Sequence, residues 1–109
     1  MLPERFFSQN TKISEALAAA QKAFDEKDYT LAERLYKETI ELIESNLGAD
    51  HMQNAMVLHN LSLVYRKQGR HEEFRTISNR ISEIFLSQKA VLGSESLDRL
   101  FAEESATET

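Results

Sequence analysis

Cysteine is missing from this chain of 109 residues, which removes disulfides, thiolate metal sites and a cysteine nucleophile together. Backbone breakers are nearly as scarce. One proline and three glycines leave long uninterrupted elements as the expected outcome. Long apolar runs are lacking too, and nothing approaches the stretch of about eighteen residues that a membrane span needs. The charge balance has no basic surplus: a formal net charge of -5 argues against general affinity for nucleic acid, whose phosphates reward a basic face. The N-terminal stretch MLPERFFSQN shows neither a basic leader followed by an apolar run nor a small-residue cleavage site. No secretory signal is expected from it, and a reducing cytoplasm suits a chain without cysteine.

Catalytic signatures are absent as well. His51, His59 and His71 do not make HExxH or another metal-ligand spacing, and His71-Glu72-Glu73 reads most simply as the charged first turn of a helix. There is no glycine-rich phosphate loop, and the serines lack an elbow motif. No enzymatic activity, metal or cofactor is expected.

What the chain does have is helix. Hydrophobic residues make up 41% and charged residues 28%, values of an ordinary globular domain, and Ala, Leu, Glu and Lys are abundant. Ile13, Ala16, Leu17, Ala20, Ala23 and Phe24 recur at three- and four-residue spacings, which predicts a helix from about Thr11 to Lys27 with an unusually small face. A break follows at Asp28-Tyr29. Thr30-Leu31-Ala32-Glu33 then reads as a capping box opening a second helix, whose apolar positions Leu31, Ala32, Leu35, Tyr36, Ile40, Ile43 and Leu47 run to a stop at Gly48. Asp50-His51-Met52-Gln53 repeats the capping pattern. A third helix carries Met52, Ala55, Met56, Leu58, Leu61, Val64 and Tyr65 to Gly69. A fourth shows Phe74, Ile77, Ile81, Ile84, Phe85 and Leu92 before Gly93, and Ser94 is placed to cap a short fifth helix with Leu97, Leu100 and Phe101. Loops this short force antiparallel hairpins.

The two hairpins are copies. A shift of 42 residues sets Tyr29 on His71, Ala32 on Phe74, Ala16 on Leu58, Ala19 on Leu61 and Ala20 on Ser62, with small or apolar character kept at nearly every pair. Such a repeat is the sequence mark of a solenoid, whose units bury their faces against one another. The first unit, with Ala19-Ala20, Asp28-Tyr29, Ala32, Tyr36 and Ile40, resembles a tetratricopeptide repeat. LHNLSLVYRKQGRHEEF resembles it more closely, with Leu58, Leu61, Ser62, Tyr65, Gly69 and His71 at the family's leucine, small, aromatic and turn positions. NLGADHMQNAMVLHNLSLVYRKQG is similar to the longer repeats of kinesin light chain. The resemblance, over about residues 13–101, implies an all-α, right-handed α-solenoid of two helical hairpins plus a short C-terminal capping helix. The domain layout expected is an N-terminal extension over 1–10, one domain over 11–101 (repeats at about 13–48 and 52–93, capping helix at about 95–104) and a flexible tail over 105–109.

Three departures stand out. Lys27 occupies the family's turn-glycine position, Phe74 occupies a position where alanine normally allows close helix packing, and Gly93 lies 45 residues after Gly48 rather than 42. The last predicts a fourth helix about one turn longer than the second.

In an array of this kind the leading helix of each hairpin lines a concave groove. The resemblance assigns Met56, His59, Asn60, Leu63, Arg66 and Lys67 to that face in the second unit, and Ser14, Leu17, Ala18, Gln21, Phe24 and Asp25 in the first. Helical geometry agrees, because Met56, Asn60, Leu63 and Lys67 form one stripe offset from Leu58, Leu61 and Tyr65. By resemblance, Asn60 is the residue expected to hold the backbone of an extended peptide, since an amide donates and accepts at once. The ordinary alternatives are a bond to a neighbouring loop or exposure to water. His59 reads as a solvated surface residue or a recognition contact. Arg66, Lys67, Arg70, Arg75 and Arg80 are either a grip for a ligand carboxylate or a solvated face balanced by Glu72 and Glu73. A full carboxylate clamp of the chaperone-binding relatives is not met, because Leu17 and Gln21 stand where it needs lysine and asparagine.

The function expected is an adaptor that binds a peptide or helix of another protein in its groove, with no nucleic-acid or membrane partner. Two alternatives differ in class. Two repeats fall short of the roughly three that solenoids need, so the module can self-associate as a homodimer through its end faces, with Phe6, Phe7, Leu97, Leu100 and Phe101 as caps or contacts. The other is a small acidic secretion-type chaperone.

Overall fold

A computed structural model describes the backbone of residues 4–92 and the side chains of residues 11–89. Four helices follow in order: α1 Glu4–Asp25, α2 Tyr29–Asn46, α3 Met52–Lys67 and α4 His71–Leu92. Each packs on the next in the chain, α1 on α2, α2 on α3 and α3 on α4, as stacked hairpins must. The fold is an all-α helical repeat array. Gly93, the expected capping helix at 95–104 and the tail lie outside the described residues, as do the side chains of Phe6 and Phe7.

The 42-residue shift holds in the hydrogen bonds themselves. At the end of α1 the Asp28 amide donates to Ala23 O at 2.9 Å and the Lys27 amide to Phe24 O at 3.0 Å. At the end of α3 Arg70 donates to Tyr65 O at 2.9 Å and Gly69 to Arg66 O at 3.1 Å. Both turns need one left-handed residue. Gly69 supplies it at φ 70° and Lys27 at φ 64°, so the lysine adopts the glycine conformation despite its Cβ. α4 is described over 22 residues against the 18 of α2, and its expected stop at Gly93 lies outside the described residues.

The main core joins both units. Ile13, Ala20, Ala23, Ala32, Tyr36 and Ile43 pack with Val57, Leu61, Val64 and Tyr65. Ala20 and Ala32 are both fully buried, which is what two small residues facing each other across a tight α1–α2 contact produce. Phe74, at the repeat position of Ala32, is half-buried against this core. Ala55, Leu58 and Ile84 form a second cluster with Ile77 and Ile81 between α3 and α4.

Two predicted caps are corrected. α2 begins at Tyr29, and Asp28 is its N-cap, its carboxylate accepting from the Leu31 amide at 3.2 Å; Thr30 therefore sits inside the helix. Asp28 wins because its own carbonyl already accepts from Ala32 at 2.9 Å, which places its side chain over the free amides. Glu33, expected to close the box, instead meets Arg70 and Lys37. At α3 the cap is His51, whose Nδ1 accepts from the Gln53 amide at 3.0 Å. α1 also begins at Glu4, well before the apolar stripe that starts near Thr11.

Polar groups fix the units to one another. Arg70 bridges Glu33 on α2 and Glu73 on α4 and lies 4.6 Å over the Tyr65 ring. Burial alone would raise the Glu33 pKa, but the Arg70 hydrogen bond and the Lys37 and Arg70 charges hold it below the 4.5 of a free carboxyl. The α2–α3 loop is clamped twice. Buried Asn54 donates to Ala49 O at 2.9 Å and to Glu44 Oε2 at 3.1 Å. From α4, Arg80 reaches Ala49 O at 3.0 Å and Asp50 Oδ1 at 3.1 Å, while Gln88 donates to Asp50 O at 2.6 Å.

Candidate groove site

The leading helices α1 and α3 face each other across a cleft rather than a tight contact. It encloses about 360 Å³ and is lined by Gln21, Phe24 and Asp25 of α1, Asn60 and Leu63 of α3, and Tyr36 of α2. This is the small end of the range for ligand pockets, roughly 300–1,000 Å³, and suits one or two side chains rather than a bulky cofactor. Burial divides α3 as helical spacing requires. Leu58, Leu61 and Tyr65 are buried, while Met56 is 67% exposed and Asn60 and Leu63 are half-buried at the cleft.

Of the residues expected at the groove, Gln21, Phe24, Asp25, Asn60 and Leu63 are brought together. Leu17 is half-buried and packs against the main core. Met56, His59, Arg66 and Lys67 are exposed and do not line the cleft, and Ser14 and Ala18 are exposed on α1. Among the described residues the Asn60 amide has no hydrogen-bond partner, so the neighbouring-loop alternative has no counterpart there. Its capacity to donate and accept faces the cleft unused.

The basic cluster divides. Arg70 is engaged by Glu33 and Glu73, and Arg80 by Asp50 and Glu83, whereas Arg66, Lys67 and Arg75 have no ion-pair partner among the described residues. Glu73, expected to balance a solvated basic face, pairs with Arg70 of that cluster.

Tyr36 is the residue that the sequence reading left in the core alone. Its ring is buried and at the same time floors the cleft. Burial pushes its phenol up from the usual value and the Asp25 carboxylate pushes it further, so the hydroxyl is neutral near pH 7 and able to donate or accept. The signal was present, since Tyr36 sits four residues after Ala32 on the face turned to the leading helices. No group of acidic residues or histidines among the described residues is arranged to hold a metal ion. Nor is any described helix long and apolar enough to cross a membrane.

An array of helical hairpins with a groove between its leading helices defines a repeat scaffold. The tetratricopeptide repeat family model matches residues 12–87, and the chain belongs to that family. A comparison with curated proteins found no match. Repeats of this family generally mediate protein–protein interactions and are typically scaffolds rather than enzymes.

Proposed function

We propose that the chain is an adaptor that takes an extended peptide or one face of a helix from another protein into the cleft between α1 and α3. The observation that carries this reading is the unused Asn60 amide beside Leu63 and Phe24, a polar anchor flanked by apolar surface, in a cleft of side-chain size. An amide that holds a peptide backbone in such a place fixes register, and the apolar neighbours supply area. His59, Met56, Arg66 and Lys67 act in this reading at the rim, where contacts modulate more than they hold. The cytoplasm is the compartment that fits.

Peptides selected from a random library against the full chain test the reading. Asn60→Ala should weaken the selected peptides by about 1 to 3 kcal/mol, the cost of a partner left unpaired. Unchanged affinity removes Asn60 and the cleft from the account.

A second reading has one observation in its favour. Phe85 on α4 stands 42 residues after Ile43; Ile43 is fully buried while Phe85 is 54% exposed, beside Leu86 at 66%. The position that α3 covers in the first unit is covered by no helix in the second among the described residues, and a homodimer through this end face would cover it.

A further inference from the structure

On the footing of that groove reading, we infer that the cleft selects a cationic side chain, lysine or arginine, on its peptide, with Asp25 as the residue that sets this specificity. Asp25 is the one formally charged group among the cleft's lining residues; Gln21 and Asn60 are amides, Tyr36 a phenol, and Phe24 and Leu63 apolar. The acids Glu33, Asp50, Glu73 and Glu83 each have a basic partner. Asp25 has none among the described residues, and its side chain is exposed.

Its position sharpens the point. Asp25 is the last residue of α1, at the negative end of the helix dipole, so a carboxylate there costs the helix stability instead of adding to it. The carboxylate lies at that helix end on the lining of the cleft, and no lysine or arginine among the described residues pairs with it. Phe24 adds apolar area to the lining, and the Tyr36 hydroxyl and Gln21 carbonyl are further acceptors. Asp25 and Tyr36 line the same cleft, so the carboxylate and the phenol at the floor share one space. Lys67, the repeat counterpart of Asp25, is exposed and does not line the cleft. The basic grip on a ligand carboxylate expected from sequence therefore has no residue in the cleft to make it, and the charge that is there has the opposite sign.

The experiment is a peptide selection from a library with equal acidic and basic content, run on the full chain and on Asp25→Lys, followed by affinity measurements on Asp25→Asn and Asn60→Ala. Peptides that need Asn60 should carry lysine or arginine at one fixed position. Asp25→Asn should weaken them about tenfold, replacing that lysine by norleucine should cancel the difference, and Asp25→Lys should shift selection toward aspartate and glutamate. If Asn60-dependent peptides show no basic position, or are indifferent to Asp25, the charge selectivity is wrong and the groove survives. Peptides indifferent to Asn60 as well, or no peptides at all, overturn both. Exposure of Asp25 at a helix end predicts that its variants stay folded with unchanged or raised Tm, and the norleucine arm uses the unaltered protein in any case.

Discussion

Lys27 and Gly69 occupy the same place in two turns and answer the same backbone demand with different chemistry. A left-handed residue with a Cβ costs about 1–2 kcal/mol, and glycine gives back part of that through unfolded-chain entropy. Lys27→Gly should therefore raise stability by roughly 0.5–1 kcal/mol in a denaturant titration, while Gly69→Ala should lower it by about the same amount. No atom lies within 4 Å of a Cβ built at Gly69, so the loss comes from the backbone alone. The two asparagines of α3 show where sequence reading reached and where it stopped. Asn60 was legible because helical spacing sets it off the buried stripe. Asn54 was not, because its partners, Glu44 and Ala49, come from α2 and the loop, which spacing does not register. Those two acceptors fix the orientation of the Asn54 amide, leaving its Oδ1 buried without a partner among the described residues. Asn54→Ala should cost about 1–3 kcal/mol by thermal or urea denaturation, and Asn54→Asp more, since it turns a carboxylate toward Glu44.

At the scale of elements, apolar spacing and turn residues placed all four helices, and the main bonds of the two hairpin turns recur at a shift of 42 residues. The ends were less legible. Thr30 and Glu33 fit a capping pattern, yet Asp28 caps α2 and Glu33 serves the inter-repeat bridge to Arg70, because a short polar side chain at either of two positions two residues apart satisfies the same local rule. That bridge makes a pH prediction. The Glu33 pKa is lowered on folding, so its contribution is fully present above about 4.5 and is lost as pH falls through the lowered value. A series of thermal melts from about pH 7 to about pH 3 should show Tm falling in the acid limb, and Glu33→Gln should flatten that limb while lowering Tm near neutrality. An identical acid limb in the variant would mean that the Arg70 bridge does not couple the repeats.

Over the whole molecule, the two ends differ. Ala19 at the leading end is exposed where its counterpart Leu61 is buried in the shared core, and an alanine leaves little apolar area uncovered. The trailing end presents Phe85 and Leu86. The self-association reading runs through the trailing end: light scattering should give a dimer that Phe85→Glu converts to a monomer, and a monomer at high concentration rejects that reading. Tyr36 ties the scales together, being a core residue of the array and the floor of its cleft, a dual place that burial patterns alone assign to the core. The direct test of the account is to follow backbone amide shifts of the labelled chain as a library-selected peptide is added. Perturbations concentrated at Gln21, Phe24, Asp25, Asn60 and Leu63 are the predicted result. Perturbations gathered around Phe85 and Leu86, with the α1–α3 cleft silent, would contradict it.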